Sequence, residues 1–219
     1  MENERHLKNV LYQEFARIGK SLSSPKRLEV LDLLSQGPKS VEALSKATTM
    51  SVANVSQHLQ TLNNARMVKF RKEGNYVIYE LADDIISDFI NSLHTLSEKQ
   101  FAQVQQIKQT FLNANMGMDG VSLSELNDRM EKGEVLLLDV RPKEEYENAH
   151  IPGAVSMPVE ELREKLSSLP TNSDVVAYCR GPYCLLSVEA VEFLRSQGIH
   201  AYRLENTVQD WNEFQEHLH

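Results

Sequence analysis

Two short apolar runs, at residues 135–140 and 175–178, most constrain the fold of this chain, because a helical pattern follows each of them. Strands that are covered on both faces have this composition in parallel sheets. Further short strands are predicted at residues 154–157 and 201–204, with helices between them. This alternation predicts a small open α/β sheet whose site lies at the carboxyl ends of the strands.

The cysteines of the chain, Cys179 and Cys184, follow the second of these strands and precede a helix predicted at residues 185–197. The unpaired N–H groups and the dipole of a helix start favour an anion, so the sequence predicts a lowered pKa for Cys179. Arg180 adds a positive charge. We therefore predict that Cys179, Arg180 and Cys184 form a catalytic group. A buried structural cysteine is the alternative.

Charge is divided unevenly along the chain. Residues 1–115 carry 14 Lys and Arg against 12 Asp and Glu, whereas residues 116–219 carry 9 against 19. The acidic second half would be repelled by nucleic acid, so any DNA contact must come from the first half. No apolar run reaches about 18 residues, which predicts no membrane contact. Two neighbouring cysteines without a signal peptide predict a cytoplasmic protein.

The first half predicts a mainly helical domain that contains one hairpin. Ser24, Ser40 and Ser51 are the expected N-caps. Two short helices joined by a tight turn are a helix-turn-helix candidate, and the hairpin around Gly74 is its wing. The predicted helices cover residues 5–19, 25–36, 41–47, 52–64 and 83–111, and the predicted strands cover 67–72 and 76–81.

Three motifs, at residues 24–31, 55–68 and 71–79, resemble the opening, the recognition helix and the wing of the ArsR-type winged-helix repressors. The resemblance covers residues 5–97. It implies a homodimer that binds palindromic double-stranded operator DNA. It also implies that the first and last helices of the domain form the dimer interface.

The exposed face of the predicted recognition helix carries polar side chains suited to base edges and phosphates, and the hairpin adds cations. A merely solvated polar face is the alternative. No metal site and no cofactor are predicted, because residues 40–44 lack a thiol and the last helix lacks a zinc-binding spacing. The predicted DNA-binding residues are Ser51, Asn54, Ser56, Gln57, His58, Thr61, Lys69, Arg71 and Lys72.

Motifs at residues 138–141 with Glu145 and Tyr146, at 150–154 and at 178–180 resemble a rhodanese domain over residues 121–214. The resemblance implies that Cys179 carries sulfane sulfur as a persulfide. It implies that Asp139, Arg141 and His150 support the fold and rim the site. The chain departs from the family at Cys184, where many active sulfurtransferases have a basic residue, so weak thiosulfate turnover is expected.

Together these patterns predict a multidomain protein: a mainly-α winged helix-turn-helix domain at 1–112, a linker at 113–120, and an α/β rhodanese-like domain at 121–219 with a parallel sheet. The predicted function is a DNA-binding repressor that senses a sulfane-sulfur donor through Cys179, with Cys184 as the resolving thiol. One alternative is a sulfurtransferase that acts on thiosulfate or persulfides at Cys179, in which the winged helix serves localisation or dimerisation. Another is an inert rhodanese fold that binds a protein.

Overall fold

The computed structural model describes residues 2–113, 120–169 and 173–218, and the chain divides into two compact units, Met1–Gln100 and Phe101–His219. The predicted linker at 113–120 lies outside the described residues except at its two ends. The predicted boundaries at 112 and 121 therefore stay predictions. In the described parts of the chain no helix is long and apolar enough to cross a membrane.

The first unit has the predicted winged helix-turn-helix fold. A three-stranded antiparallel sheet of order β1-β3-β2 packs beside the helices. Strand β1 was too short to be predicted. The elements are α1 (Glu2–Leu22), α2 (Pro25–Ser35), β1 (Lys39–Ser40), α3 (Val41–Thr48), α4 (Val52–Asn64), β2 (Val68–Glu73), β3 (Tyr76–Leu81) and α5 (Ile85–Gln100).

One predicted N-cap and the last predicted helix differ in detail from the structure. Ser24 occupies the predicted N-cap position of α2 with Pro25 in the first turn, but its hydroxyl makes no cap hydrogen bond. The long helix predicted over 83–111 is broken at Phe101, whose carbonyl accepts the Val104 N–H at 2.9 Å and so starts a new first turn. The second piece, α6 (Ala102–Asn113), falls in the second unit.

The first unit leaves apolar side chains of α1 and α5 exposed to solvent. Its core is formed by buried residues such as Leu31, Leu44 and Leu59. Outside that core, Phe15 on α1 is 58% exposed and Leu96 on α5 is 54% exposed. The other large apolar side chains exposed on these two helices are Leu7, Val10, Leu11, Tyr12, Ile18, Ile85 and Phe89.

The second unit is a five-stranded parallel sheet of order β4-β8-β7-β5-β6, which confirms the predicted α/β architecture. Strand β4 was missed because two residues show no pattern. After α6, the elements are β4 (Gly120–Val121), α7 (Leu123–Glu131), β5 (Val135–Asp139), α8 (Lys143–Asn148), β6 (Val155–Ser156), α9 (Val159–Lys165), β7 (Asp174–Tyr178), α10 (Leu185–Ser196), β8 (Ala201–Leu204) and α11 (Val208–Leu218).

Successive side chains of the central strands enter separate cores on the two faces of this sheet, as the alternation of a strand requires. Leu138 packs in the core that contains α9 and α10, together with Cys179. Leu137 packs in the core that contains α7 and α11. Burial on both faces explains why β5 and β7 are apolar nearly throughout.

Candidate functional sites

The helix-turn-helix presents α4 as an exposed polar surface. Thr49 takes the left-handed conformation (φ 55°) between α3 and α4, and Ser51 caps α4 by accepting the Asn54 N–H at 3.3 Å. Val55 and Leu59 are fully buried on the opposite face of the helix. The predicted readers Asn54, Ser56, Gln57 and Thr61 are exposed, whereas His58 is half-buried.

The predicted DNA-binding side chains on α4 differ in whether they are already hydrogen-bonded within the protein. The Ser56 hydroxyl donates to the Val52 carbonyl, and the Thr61 hydroxyl donates to the Gln57 carbonyl. The Asn54 and Gln57 amides form no side-chain hydrogen bond with any described residue. These two amides are therefore the best placed to bind base edges.

Acidic residues on the wing engage most of its predicted cations. Arg71 donates from Nε to Glu73 at 2.7 Å and from Nη1 to Glu80 at 3.2 Å. The Lys69 ammonium lies 3.8 Å from Glu80, its cross-strand partner. Lys72 is exposed and forms no ion pair with a described residue. A phosphate would have to compete with carboxylates for Arg71 and Lys69, but not for Lys72.

The second candidate site is the loop between β7 and α10, residues 179–184, which we call the cysteine loop. Cys179 is 1% exposed and Cys184 is half-buried. Gly181 has φ +111°, and a Cβ there would lie 3.1 Å from the Thr207 methyl group. Only glycine fits this turn without strain, and the turn brings the two cysteines close together.

A buried arginine on β8 anchors the cysteine loop from inside the protein. Arg203 is 1% exposed, and its Nη2 donates to the carbonyls of Gly181 at 3.2 Å and Pro182 at 2.6 Å. Its Nε donates to Ser187 Oγ at 2.9 Å. Nη1 makes no hydrogen bond and lies 3.8 Å from Glu205. Arg203 thereby turns two loop carbonyls inward.

The two thiols differ in acidity, in the order opposite to the prediction. Burial raises the pKa of Cys179 well above its usual value, although a hydrogen bond with Ser187 (3.1 Å) opposes this. A hydrogen bond from the Cys179 thiol lowers the pKa of Cys184 to about 6, helped by the N–H groups of Arg180 and Leu186 and by the Arg180 charge. The predicted acidic Cys179 is therefore wrong, since it is Cys184 that occupies the helix start.

Arg180 is held by an acidic residue of α8. Its Nε and Nη2 donate to the Glu145 carboxylate at 2.7–3.1 Å, and the Glu145 side chain is only 3% exposed. The Arg180 charge still acts on Cys184, because it contributes to the lowered pKa of that thiol. The guanidinium, however, is already paired within the protein.

Of the predicted supporting residues, Asp139 and Arg141 lie in a buried network, whereas His150 lies at the surface. Asp139 pairs with Arg141 at 2.6 Å and accepts the Tyr178 hydroxyl at 2.7 Å. Tyr178 in turn accepts the Ile151 N–H at 3.0 Å. His150 is exposed, and its Nδ1 lies 2.9 Å from the Tyr146 carbonyl oxygen. These contacts order the loops after β5 and α8.

Sequence reasoning missed the partners Glu145, Ser187 and Arg203. An arginine within the otherwise apolar strand 201–204 was a signal that could have been used for Arg203. Ser187 has no distinguishing local pattern, and Glu145 belongs to a rhodanese-like motif that does not show its pairing with Arg180. Across the described ranges, no three His, Cys, Asp or Glu side chains are grouped so that they could hold a metal ion.

Comparisons with known proteins match both halves of the chain. The family model "Bacterial regulatory protein, arsR family" matches residues 24–69, and the model "Rhodanese-like domain" matches residues 122–214. The HTH-type transcriptional regulator Rv0324 of Mycobacterium tuberculosis is 36% identical over 211 residues, which cover 96% of this chain and 92% of that protein.

Shorter matches cover the first half. The arsenical resistance operon repressor of Staphylococcus aureus is 36% identical over 86 residues, which cover 39% of this chain and 83% of that protein. The homodimeric winged helix-turn-helix DNA-binding domain of Mb0332 from Mycobacterium bovis is 33% identical, with a TM-score of 0.41 over 43% of this chain and 87% of that one.

The acidity of the two thiols predicts a pH profile for alkylation. Reaction of Cys184 with iodoacetamide should be half-maximal near pH 6, because its pKa is about 6 and the thiolate is the nucleophile. Cys179 should react slowly beyond neutral pH. In Cys179→Ala the Cys184 midpoint should rise, since the thiol that donates to it is gone. Mass spectrometry of each peptide gives the profiles, and an unchanged Cys184 midpoint in Cys179→Ala would contradict the shared hydrogen bond.

Proposed function

The chain belongs to the ArsR-type helix-turn-helix transcriptional regulators that carry a C-terminal rhodanese-like domain, and we propose that it is an operator-binding repressor controlled by sulfane sulfur. The observation that carries the proposal is the closeness of the two thiol residues in the cysteine loop, with Cys179 Sγ 3.7 Å from the Cys184 carbonyl oxygen, in a chain whose other half is a DNA-binding fold. Such a regulator acts in the cytoplasm, where the DNA is.

DNA binding is assigned to α4 and the wing. The exposed amides of Asn54 and Gln57 can pair with base edges in the major groove, and Lys72 can contact a phosphate. Base contacts carry the sequence preference, whereas phosphate contacts carry most of the salt dependence. The two kinds of contact can therefore be separated by substitution.

Replacing Gln57 and His58 with Ala should cost about 1–3 kcal/mol of specific binding and relax sequence preference, because base contacts are lost. Replacing Arg71 and Lys72 with Gln should weaken binding to all sequences and flatten the salt dependence. Mobility-shift titrations at two salt concentrations measure both effects. Lys20→Gln, a charge change at an exposed site on α1, is the control. Operator affinity that equals the control in both variants would exclude this surface as the DNA reader.

A homodimer is assigned to the exposed apolar faces of α1 and α5. Side chains such as Phe15, Phe89 and Leu96 are about half exposed in the single chain. Exposed apolar side chains that recur along a helix in this way mark an interface in stable proteins. A two-fold dimer also matches the symmetry of a palindromic operator.

Leu96→Glu should convert the dimer to a monomer at micromolar concentration, because a charge would be buried at the interface without a partner. Asn91→Glu adds the same charge at an exposed polar position of α5 and should leave the dimer intact. Sedimentation equilibrium distinguishes the two states. A wild-type monomer that binds both half-sites would overturn the proposed assembly.

Sulfur chemistry is assigned to the cysteine loop. The Cys184 thiolate attacks the outer sulfur of a hydropersulfide R–S–SH, which forms Cys184–S–SH and releases R–S⁻. Cys179 then gives its proton to the released thiolate and attacks the inner sulfur of Cys184. A Cys179–Cys184 disulfide forms and HS⁻ leaves. This closure changes the loop, and we expect operator affinity to change with it.

Treatment with a hydropersulfide should change the operator Kd by about fivefold or more, the lower range of allosteric coupling. Cys184→Ser should lose sulfur uptake and the DNA response, because the attacking thiolate is absent. Cys179→Ser should keep a persulfide on Cys184 but form no disulfide. Mass spectrometry paired with operator binding measures these results. A normal DNA response in the double Ser variant would exclude the cysteine loop as the sensor.

A further inference from the structure

The cysteine loop is surrounded by cations that are already bound to protein acceptors. Arg180 binds the Glu145 carboxylate through two nitrogens. Arg203 is buried beneath the loop and binds its carbonyls. Arg141 binds Asp139 and the Ala149 carbonyl. The Nε–Nη2 edge of Arg180 is therefore closed to an incoming anion, and Arg141 and Arg203 are each only 1% exposed.

One further cation lies at the edge of the loop. The Lys108 ammonium lies 6.0 Å from the centroid of the Tyr183 ring. Tyr183 is 44% exposed and Lys108 is half-buried, so this charge lies near the surface and is partly screened. It cannot replace a guanidinium held against a bound anion.

The charges of the site disfavour a doubly charged sulfur donor. Thiosulfate reacts when a thiolate attacks its outer sulfur, so that S–SO₃²⁻ yields a cysteine persulfide anion and SO₃²⁻ leaves. Three negative charges must approach each other in this step, and the Arg180 charge that could offset them is already paired with the buried Glu145 carboxylate. Like charges brought together without a counter-ion are strongly unfavourable. The half of the chain that contains the loop, residues 116–219, has 19 acidic against 9 basic residues.

We propose that Glu145 determines the choice of sulfur donor: by holding the Arg180 guanidinium it excludes thiosulfate and restricts the cysteine loop to organic persulfides and trisulfides. This inference rests on the proposed function of the loop. With an uncharged trisulfide R–S–S–S–R, the Cys184 thiolate attacks the central sulfur, the trisulfide Cys184–S–S–S–R forms, and R–S⁻ leaves. No anionic oxygen takes part, so no free guanidinium is needed.

The test compares two probes, bis(2-hydroxyethyl) trisulfide and sodium thiosulfate, on the full chain at pH 7. Mass spectrometry follows the rate at which each modifies Cys184, and the readout is the ratio of the thiosulfate rate to the trisulfide rate. In the wild type this ratio should be below about 0.1, a tenfold discrimination of the size that one charge contact supplies. Glu145→Gln should raise it about tenfold or more, because the Arg180 charge becomes available.

Glu144→Gln is the matched control, because it removes an exposed charge from the same helix and should leave the ratio unchanged. The double variant Glu145→Gln with Arg180→Gln should return the ratio to the wild-type value, which a general loosening of the loop would not do. A wild-type ratio near one, or a Glu145→Gln ratio equal to that of Glu144→Gln, overturns the proposal. If neither probe modifies either cysteine, the sulfur-sensing function itself fails as well.

Discussion

The hydrogen bonds of the buried Arg203 are the constraint on which the cysteine loop depends. A charge that is 1% exposed must be compensated, and its acceptors are the Gly181 and Pro182 carbonyls and the Ser187 hydroxyl. Removing one side of a buried charged contact typically costs about 3–5 kcal/mol. The inward direction of these carbonyls is therefore fixed by the strand below, and the Cys184 sulfur is left facing the N–H groups of Arg180 and Leu186. Arg203 on β8 therefore holds the backbone of the cysteine loop in place.

The same arrangement explains why the acidic thiol is not the one that the sequence suggests. A cysteine at the end of a buried strand is close to the helix in sequence, but Cys179 points into the core shared by β7 and α10. Cys184 occupies the actual N-cap position of α10, where N–H groups are unpaired. Desolvation thus raises the pKa of Cys179, whereas hydrogen-bond donors around Cys184 lower the pKa of that thiol. A protonated thiol beside a thiolate is the state that a resolving pair requires.

The elements could be predicted where periodicity is strong and local, as in β5, β7, α4 and the wing, and there the structure agrees with the sequence closely. The two-residue strands β1 and β4 are too short to show an alternating sequence pattern. They are strands only because they pair with β3 and β8. The cysteine loop could be predicted from the sequence because it contains both cysteines of the chain. Its partners were not, because Glu145 meets Arg180 across 35 positions and Arg203 meets Gly181 across 22. Such pairings are decided by topology, which a single sequence does not display.

The second thiol also separates a sensor from a catalyst on chemical grounds. A sulfurtransferase must hand its persulfide sulfur to an external acceptor, which has to diffuse into the loop. The Cys179 thiol already donates to the Cys184 backbone carbonyl at 3.7 Å, so its effective concentration at Cys184 far exceeds that of any free thiol. In the proposed mechanism, resolution within the loop is therefore faster than transfer to an external thiol, and each donor molecule leaves a disulfide instead of a regenerated thiolate. A product that persists until it is reduced stops turnover after one event, and this persistence is what a transcriptional response to a brief sulfur pulse requires.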